Sequence, residues 1–193
     1  VAMLIGTTFA WFTDTASTGV NKIQAGNLDV KLMYSTDMVT WKEATDQTKL
    51  FNDNALWEPG YTQVVYLKVV NAGNLALKYE TGFSKNYTSN RGKNVNGDWY
   101  RVDNYLKIGT AETETKFANR EAVWAAVAAT EKTLSKEIML TDGWVTLEAG
   151  KASKPFAVAI YMPTSVGNEA NASRLRPSSV SGLGIEVRAT QAT

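Results

Sequence analysis

The first twelve residues form an uncharged, largely apolar ribbon, and the chain turns polar immediately afterwards at 13–15. Successive side chains of a strand point to opposite faces. As a strand, this ribbon would carry bulky, mostly apolar residues on one face and mostly small residues on the other. The asymmetry predicts an extended N-terminal donor strand that fills a groove with its large side chains, namely Val1, Met3, Ile5, Phe9 and Trp11.

Two other interpretations of residues 1–12 stay open. An apolar run that ends in small residues is also typical of the remnant of a secretion signal. An ordinary first strand in the protein's own sheet would show the same alternation. A membrane span is not expected in this segment, because a spanning helix needs about 20 apolar residues.

The segment 13–21 is rich in turn residues and predicts a linker between the ribbon and a folded domain, with Asp14 and Gly19 as its characteristic residues. Beyond it, short apolar or alternating runs separated by turn signals predict strands. Their approximate positions are 23–32, 62–70, 75–83, 100–108, 144–147, 155–162 and 183–189. Such a series indicates an antiparallel β-sandwich over 22–193.

One segment interrupts this series of strands. The Ala-rich stretch 121–129 has high helix propensity. Apolar residues recur around it at near-helical spacing, at Phe117, Trp124, Val127, Leu134 and Ile138. We therefore predict one inserted amphipathic helix over about 117–138, capped by Asn119 or a nearby threonine and packed against the domain.

Composition narrows the classes of function. The chain has 193 residues, and 44% of them are hydrophobic, enough for one domain with a substantial core. Its formal net charge of +1 gives no electrostatic basis for binding nucleic acid or an anionic membrane. The chain contains no Cys and no His, so zinc sites and Ser-His-Asp triads lack their usual parts. We expect no catalytic residue, no metal and no cofactor, and we interpret the scattered aspartates as turn residues.

Five segments, taken in order, share a pattern with a known family. They are Gly6-Thr-Thr-Phe-Ala-Trp-Phe-Thr-Asp-Thr15, Ala25-Gly-Asn-Leu-Asp-Val30, Trp57-Glu-Pro-Gly-Tyr61, Val70-Asn-Ala-Gly-Asn-Leu-Ala-Leu77 and the closing run 183–192. Together they resemble the TasA and camelysin family, which are secreted proteins of Gram-positive bacteria. The first segment resembles the family's junction between signal peptide and mature protein.

This resemblance implies a jelly-roll subunit that polymerises into extracellular fibres of the biofilm-matrix or pilus type. In the fibre-forming members, the N-terminal segment of one subunit is the donor strand for the next. Cleavage in the family commonly falls near the position of Ala10 or Trp11. We expect cleavage further upstream in this protein, so that residues 1–12 stay in the mature chain. Some camelysin relatives are described as metallopeptidases, but a chain without His has no His-Glu-x-x-His helix.

The sequence therefore predicts a secreted structural subunit of a homopolymer, joined head to tail by donor-strand complementation, with matrix or cell-surface partners. It is not expected to be an enzyme, to bind nucleic acid or to span a membrane. One alternative is a monomeric cell-surface binding module that contacts a host or cell-wall ligand through 84–98. The other is a hydrolase of unfamiliar type, which would need a convergent pocket of carboxylates.

Overall fold

The computed structural model of the protein describes residues 20–83, 86–136 and 138–192. The predicted donor strand, with Val1, Met3, Ile5, Phe9 and Trp11, lies outside these described residues. So do Asp14, Gly19 and the rest of the predicted linker up to residue 19.

The described chain is mainly β. Its strands are β1 (Lys22–Gln24), β2 (Val30–Ser35), β3 (Lys42–Ala44), β4 (Thr62–Asn71), β5 (Leu77–Phe83), β6 (Thr88–Asn90), β7 (Gly92–Lys93), β8 (Trp99–Tyr100), β9 (Lys107–Glu112), β10 (Lys132–Thr133), β11 (Val145–Leu147), β12 (Phe156–Tyr161), β13 (Ser179–Ser181) and β14 (Ile185–Gln191). One α-helix, α1 (Arg120–Val127), and two short 3-10 helices, Val102–Tyr105 and Asn168–Ala170, complete the described elements.

Two larger sheets make up the body of the protein. One has four strands in the order β1-β14-β5-β11, and the other has six in the order β10-β9-β12-β4-β2-β3. The pairing is antiparallel throughout, except that β1 runs parallel to β14. Two short two-stranded pairs, β13 with β6 and β7 with β8, stand apart from these sheets.

The core lies between the two larger sheets. On β4 of the six-stranded sheet, alternate residues Val65, Leu67 and Val69 are buried, as period-2 burial requires. On β14 of the four-stranded sheet, Ile185 and Val187 are buried in the same cluster. The predicted mainly β fold, an antiparallel sandwich with one helix, is confirmed.

The helix is real but much shorter than the predicted 117–138. It spans Arg120–Val127, and its first turn is capped by Asn119, whose side-chain oxygen accepts a hydrogen bond from the backbone N–H of Ala122 at 2.9 Å. Val123 and Val127 pack on the outer face of the six-stranded sheet. The prediction is wrong beyond this point, because residues 132–133 form β10 instead.

Thr130 explains where the helical path ends. Its hydroxyl donates to the carbonyl of Thr110 at 2.8 Å and accepts from the N–H of Thr110 at 2.9 Å, which draws the chain back to the edge of β9. Leu134 and Ile138 then enter the core between the sheets. Their apolar character therefore reflects burial in the sandwich and not a continuing helical stripe.

The predicted linker over 13–21 also ends too late. Asn21 is fully buried, and its side-chain amide donates to the carbonyls of Thr45 and Thr48 at 3.0 and 2.7 Å. Its side-chain oxygen accepts from the N–H of Ile185 at 3.0 Å. Asn21 therefore belongs to the domain, because it ties the turn after β3 to the start of β14.

Gly184 makes room for this crossing. A Cβ added there would lie 1.7 Å from the backbone oxygen of Val20, far inside any allowed contact. Only glycine lets residues 20–21 lie against the chain at the start of β14. The N-terminal segment thus meets the described domain at a fixed point beside the β1 edge of the four-stranded sheet.

Candidate subunit interface

A cleft opens between the two sheets on the side opposite β1. There, β11 is the outermost strand of the four-stranded sheet, while β9 and the two-residue β10 end the six-stranded sheet. Because β10 pairs only with Lys107 and Ile108, the outer edge of the rest of β9 has no strand neighbour among the described residues, while its inner edge pairs with β12. The cleft between these edges has a volume of about 860 Å³.

The lining of this cleft mixes apolar side chains with threonines and other polar groups. Its larger apolar side chains come from both sheets and from the segment before β11, and they are Tyr79, Leu140, Val145, Leu147 and Phe156. Val145 is 37% exposed, and the neighbouring Trp144 is 45% exposed. An exposed β-branched residue on an edge strand is typical of a surface that a partner covers. Trp144 precedes this strand and is not among the residues that line the cleft.

Tyr79 brings a polar atom into this lining. Its side chain is 4% exposed. Burial raises the pKa of the Tyr79 phenol above its usual value, while a hydrogen bond with Ser153 opposes this rise. The phenol is therefore neutral near pH 7, and the depth of the cleft carries no charge from it.

The two rims of the cleft differ in whether the outward-facing N–H and carbonyl groups of their backbone already have hydrogen-bond partners. On the β9 side, the Thr130 hydroxyl occupies both the N–H and the carbonyl of Thr110. On the other side, β11 pairs with Leu77–Tyr79 of β5 and has no strand on its outer edge within the described chain. An incoming strand would therefore find its backbone partners along β11.

Charged residues also line the cleft, namely Glu112, Asp142 and Lys154. The described residues contain no group of three or more His, Cys, Asp or Glu side chains placed to hold a metal ion.

The sequence pattern did not reveal this cleft. Residues 144–147 were predicted as a strand, but periodicity alone does not tell an edge strand from a central one. The large alternating residues of 1–12 were the signal that a groove should exist, and those residues lie outside the described chain.

The alternative binding segment, 84–98, is more ordered than a loop. Its described part contains β6 and β7, which pair with β13 and β8. None of the described helices is long and apolar enough to cross a membrane.

No protein-family model and no curated protein matches this chain. Among solved structures, the chain is similar to a family 123 glycoside hydrolase from Clostridium perfringens, described in a study of glycolipid glycan hydrolysis, with 14% sequence identity and a TM-score of 0.23. The match covers 68% of this chain and 22% of the hydrolase. A likeness this weak carries no argument about fold or activity.

Proposed function

We propose that this protein is a secreted structural subunit of an extracellular filament, either a pilus or a biofilm-matrix fibre. Each subunit inserts its N-terminal segment into the cleft between β11 and β9 of the next one. One observation carries the proposal: the chain enters the domain beside β1, and the open cleft lies beside β11, at the opposite edge of the same sheet. The resemblance to TasA and camelysin proteins in the sequence supports the same function.

Opposite placement of donor and acceptor matters for the shape of the assembly. A contact between two different surfaces of the same protein is heterologous, and it repeats without closing when the rotation does not return to the start. The separation across the four-stranded sheet is about 14 Å, from strand spacings of about 4.8 Å. Successive subunits would therefore be offset in one direction, which gives a thread.

Burial of apolar side chains would favour such insertion. Burying the large side chains of 1–12, namely Val1, Met3, Ile5, Phe9 and Trp11, contributes about 10 kcal/mol before ordering costs. Association entropy and ordering of the strand oppose insertion by a comparable amount, so backbone pairing has to contribute as well. A strand added to β11 would also cover Val145 and supply its backbone partners.

The test combines one deletion with two point variants. Deletion of residues 1–12 should leave monomers, and Val145→Arg should abolish or strongly reduce filaments because it places a charge in the acceptor cleft. Val39→Arg is the matched control, since Val39 is 81% exposed and lies between β2 and β3, away from the cleft. Negative-stain microscopy and light scattering report the outcome, and filaments from the deletion variant would refute the mechanism.

The monomeric binding module remains the second candidate. It is favoured by the exposed Trp99 and the cations around it, close to the 84–98 segment. Light scattering separates the two functions, because a full chain that stays monomeric at high concentration supports the module.

A further inference from the structure

A second exposed surface surrounds Trp99, in the β7–β8 pair. Trp99 stands directly across from Lys93, and 48% of the side chain is exposed. The guanidinium carbon of Arg91 lies 4.6 Å from the ring centroid, and the ammonium nitrogen of Lys93 lies 5.0 Å from it. Two cations thus hold the indole in place without burying it.

An open depression of about 450 Å³ lies next to Lys93, the residue that pairs with Trp99. Lys93, Val95, Leu175 and Arg176 line it. Val95 is 49% exposed and Leu175 is 93% exposed. We call Arg91, Lys93, Val95, Trp99, Leu175 and Arg176 together the Trp99 surface.

The two parts of the Trp99 surface are locked together by backbone contacts. The N–H of Lys93 donates to the carbonyl of Arg176 at 2.7 Å. A Cβ at Gly92 would lie 2.0 Å from the backbone nitrogen of Ser178, so only glycine allows the two segments to approach so closely. The cations of the surface are therefore presented on a fixed framework.

The charge of the surface is largely uncompensated. Arg91, Lys93, Arg174 and Arg176 are absent from the ion pairs found among the described residues, which are Lys49–Asp53, Arg120–Glu121 and Arg188–Glu80. Asp98 is the single carboxylate in the turn between β7 and β8. In a chain whose formal net charge is +1, this is a local concentration of positive charge.

We propose that the Trp99 surface binds an acidic polysaccharide, a glycan that carries carboxylate or phosphate groups. The apolar face of a sugar ring presents C–H bonds that can pack against the part of the indole that the two cations leave exposed. Arginine and lysine beside the ring would receive the acidic groups, arginine in bidentate fashion. The site is independent of the acceptor cleft and does not rest on filament formation.

A glycan fits this surface better than a nucleic acid. Proteins that bind single strands usually stack successive bases on several aromatic side chains along a positively charged groove. The Trp99 surface offers one exposed aromatic ring, and its other exposed apolar side chains, Val95 and Leu175, are aliphatic. A single sugar-stacking platform flanked by cations matches a polymer whose acidic groups are spaced by saturated rings.

The test measures binding of the full chain to alginate, a polymer of uronic acids, by affinity electrophoresis. Trp99→Ala and the double variant Arg91→Gln/Lys93→Gln should each weaken binding about fivefold or more. Trp41→Ala is the control for the aromatic ring, because Trp41 also has a lysine, Lys68, over its face at 4.3 Å. Lys42→Gln/Lys116→Gln is the control for loss of two charges at exposed positions.

Three results would overturn the proposal. They are wild-type binding by the Trp99→Ala variant, equal binding to uncharged dextran, and tighter binding to a single-stranded oligonucleotide than to alginate. The last result would assign the surface to nucleic acid. Circular dichroism of each variant establishes that the β fold persists, so that a loss of binding reports on the surface itself.

Discussion

The two edges of the four-stranded sheet contrast sharply. At the β1 edge, Asn21 is fully buried and makes three side-chain hydrogen bonds, and Gly184 is shaped to admit the chain that arrives there. At the β11 edge, Val145 is partly exposed and lines an open cleft between the two sheets. One edge is built to fix the position of a chain segment, and the other has room to accept one.

Under the proposed function, this difference would let one sheet serve both roles of a head-to-tail contact. A donor segment is useful only if its root is fixed, because a loosely rooted strand pays more ordering entropy on insertion. An acceptor edge must stay unpaired until the partner arrives. Substitutions at the β1 edge should therefore lower the stability of the fold, and substitutions at the β11 edge should reduce assembly.

The largest expected effect on stability follows from Asn21→Ala. The substitution leaves the N–H of Ile185 and the carbonyls of Thr45 and Thr48 without their buried partner, at a cost of about 3 kcal/mol. Urea denaturation of the Asn21→Ala variant measures this loss in the free energy of unfolding. Asn96→Ala, at an exposed position in the β7–β8 turn, is the control and should change stability little. Equal stability of the Asn21→Ala variant and the wild type would contradict the claim that Asn21 fixes the chain at the β1 edge.

An intermediate loss of stability is expected for Thr130→Val, a substitution that tests the difference between the two rims of the cleft. The variant loses the hydroxyl that closes the edge of β9 at Thr110, so we expect a loss of about 1 kcal/mol. It should still form filaments, because the incoming strand pairs with β11.

Urea denaturation and negative-stain microscopy test both expectations for Thr130→Val. The control is Thr190→Val on β14, away from the cleft. Faster or more extensive assembly by Thr130→Val than by the wild type would place the acceptor backbone on β9 instead of β11, because the variant frees the N–H and carbonyl of Thr110.

The smallest effect is expected at the β2–β3 turn, far from both edges. Backbone N–H groups of Thr40 and Val39, together with the Ser35 hydroxyl, lower the pKa of Asp37 from 3.8 to about 2. A lowered folded-state pKa means that this contribution to stability is complete above about pH 4 and is lost as the pH falls towards 2.

Thermal unfolding between pH 2 and pH 7 should therefore show a small advantage of the wild type over Asp37→Asn that shrinks with acidification. Asp29→Asn, at an exposed position without those contacts, is the control. A stability advantage of the wild type that grows on acidification would contradict a lowered pKa of Asp37 in the folded state.

Local pattern predicted much of the fold. The strands around 62–70 and 183–189 were found from alternation, and the helix was found from its Ala-rich centre, with Asn119 as its cap. These features depend on neighbours in the sequence. The far end of the helix was wrong because Leu134 and Ile138 are apolar for burial in the sandwich, which happens to continue the helical spacing.

What the sequence did not predict depends on distant contacts. Asn21 was assigned to the linker, since nothing local shows that it bonds to Ile185, 164 residues away. The sequence predicted a groove but not where it lies, because the outer position of β11 is set by strand order and not by its own residues. The jelly-roll connectivity implied by the family resemblance stays a prediction.

The most direct test of strand donation is a crosslink between two differently labelled subunits. The chain contains no cysteine, so Ile5→Cys in one sample and Val145→Cys in another give single reactive sites. After the samples are mixed and allowed to assemble, a short bis-maleimide should give covalent dimers that join one subunit of each kind. Absence of these dimers, together with a crosslinked monomer when both substitutions are in one chain, would show that the leading segment folds into its own domain and contradict the account.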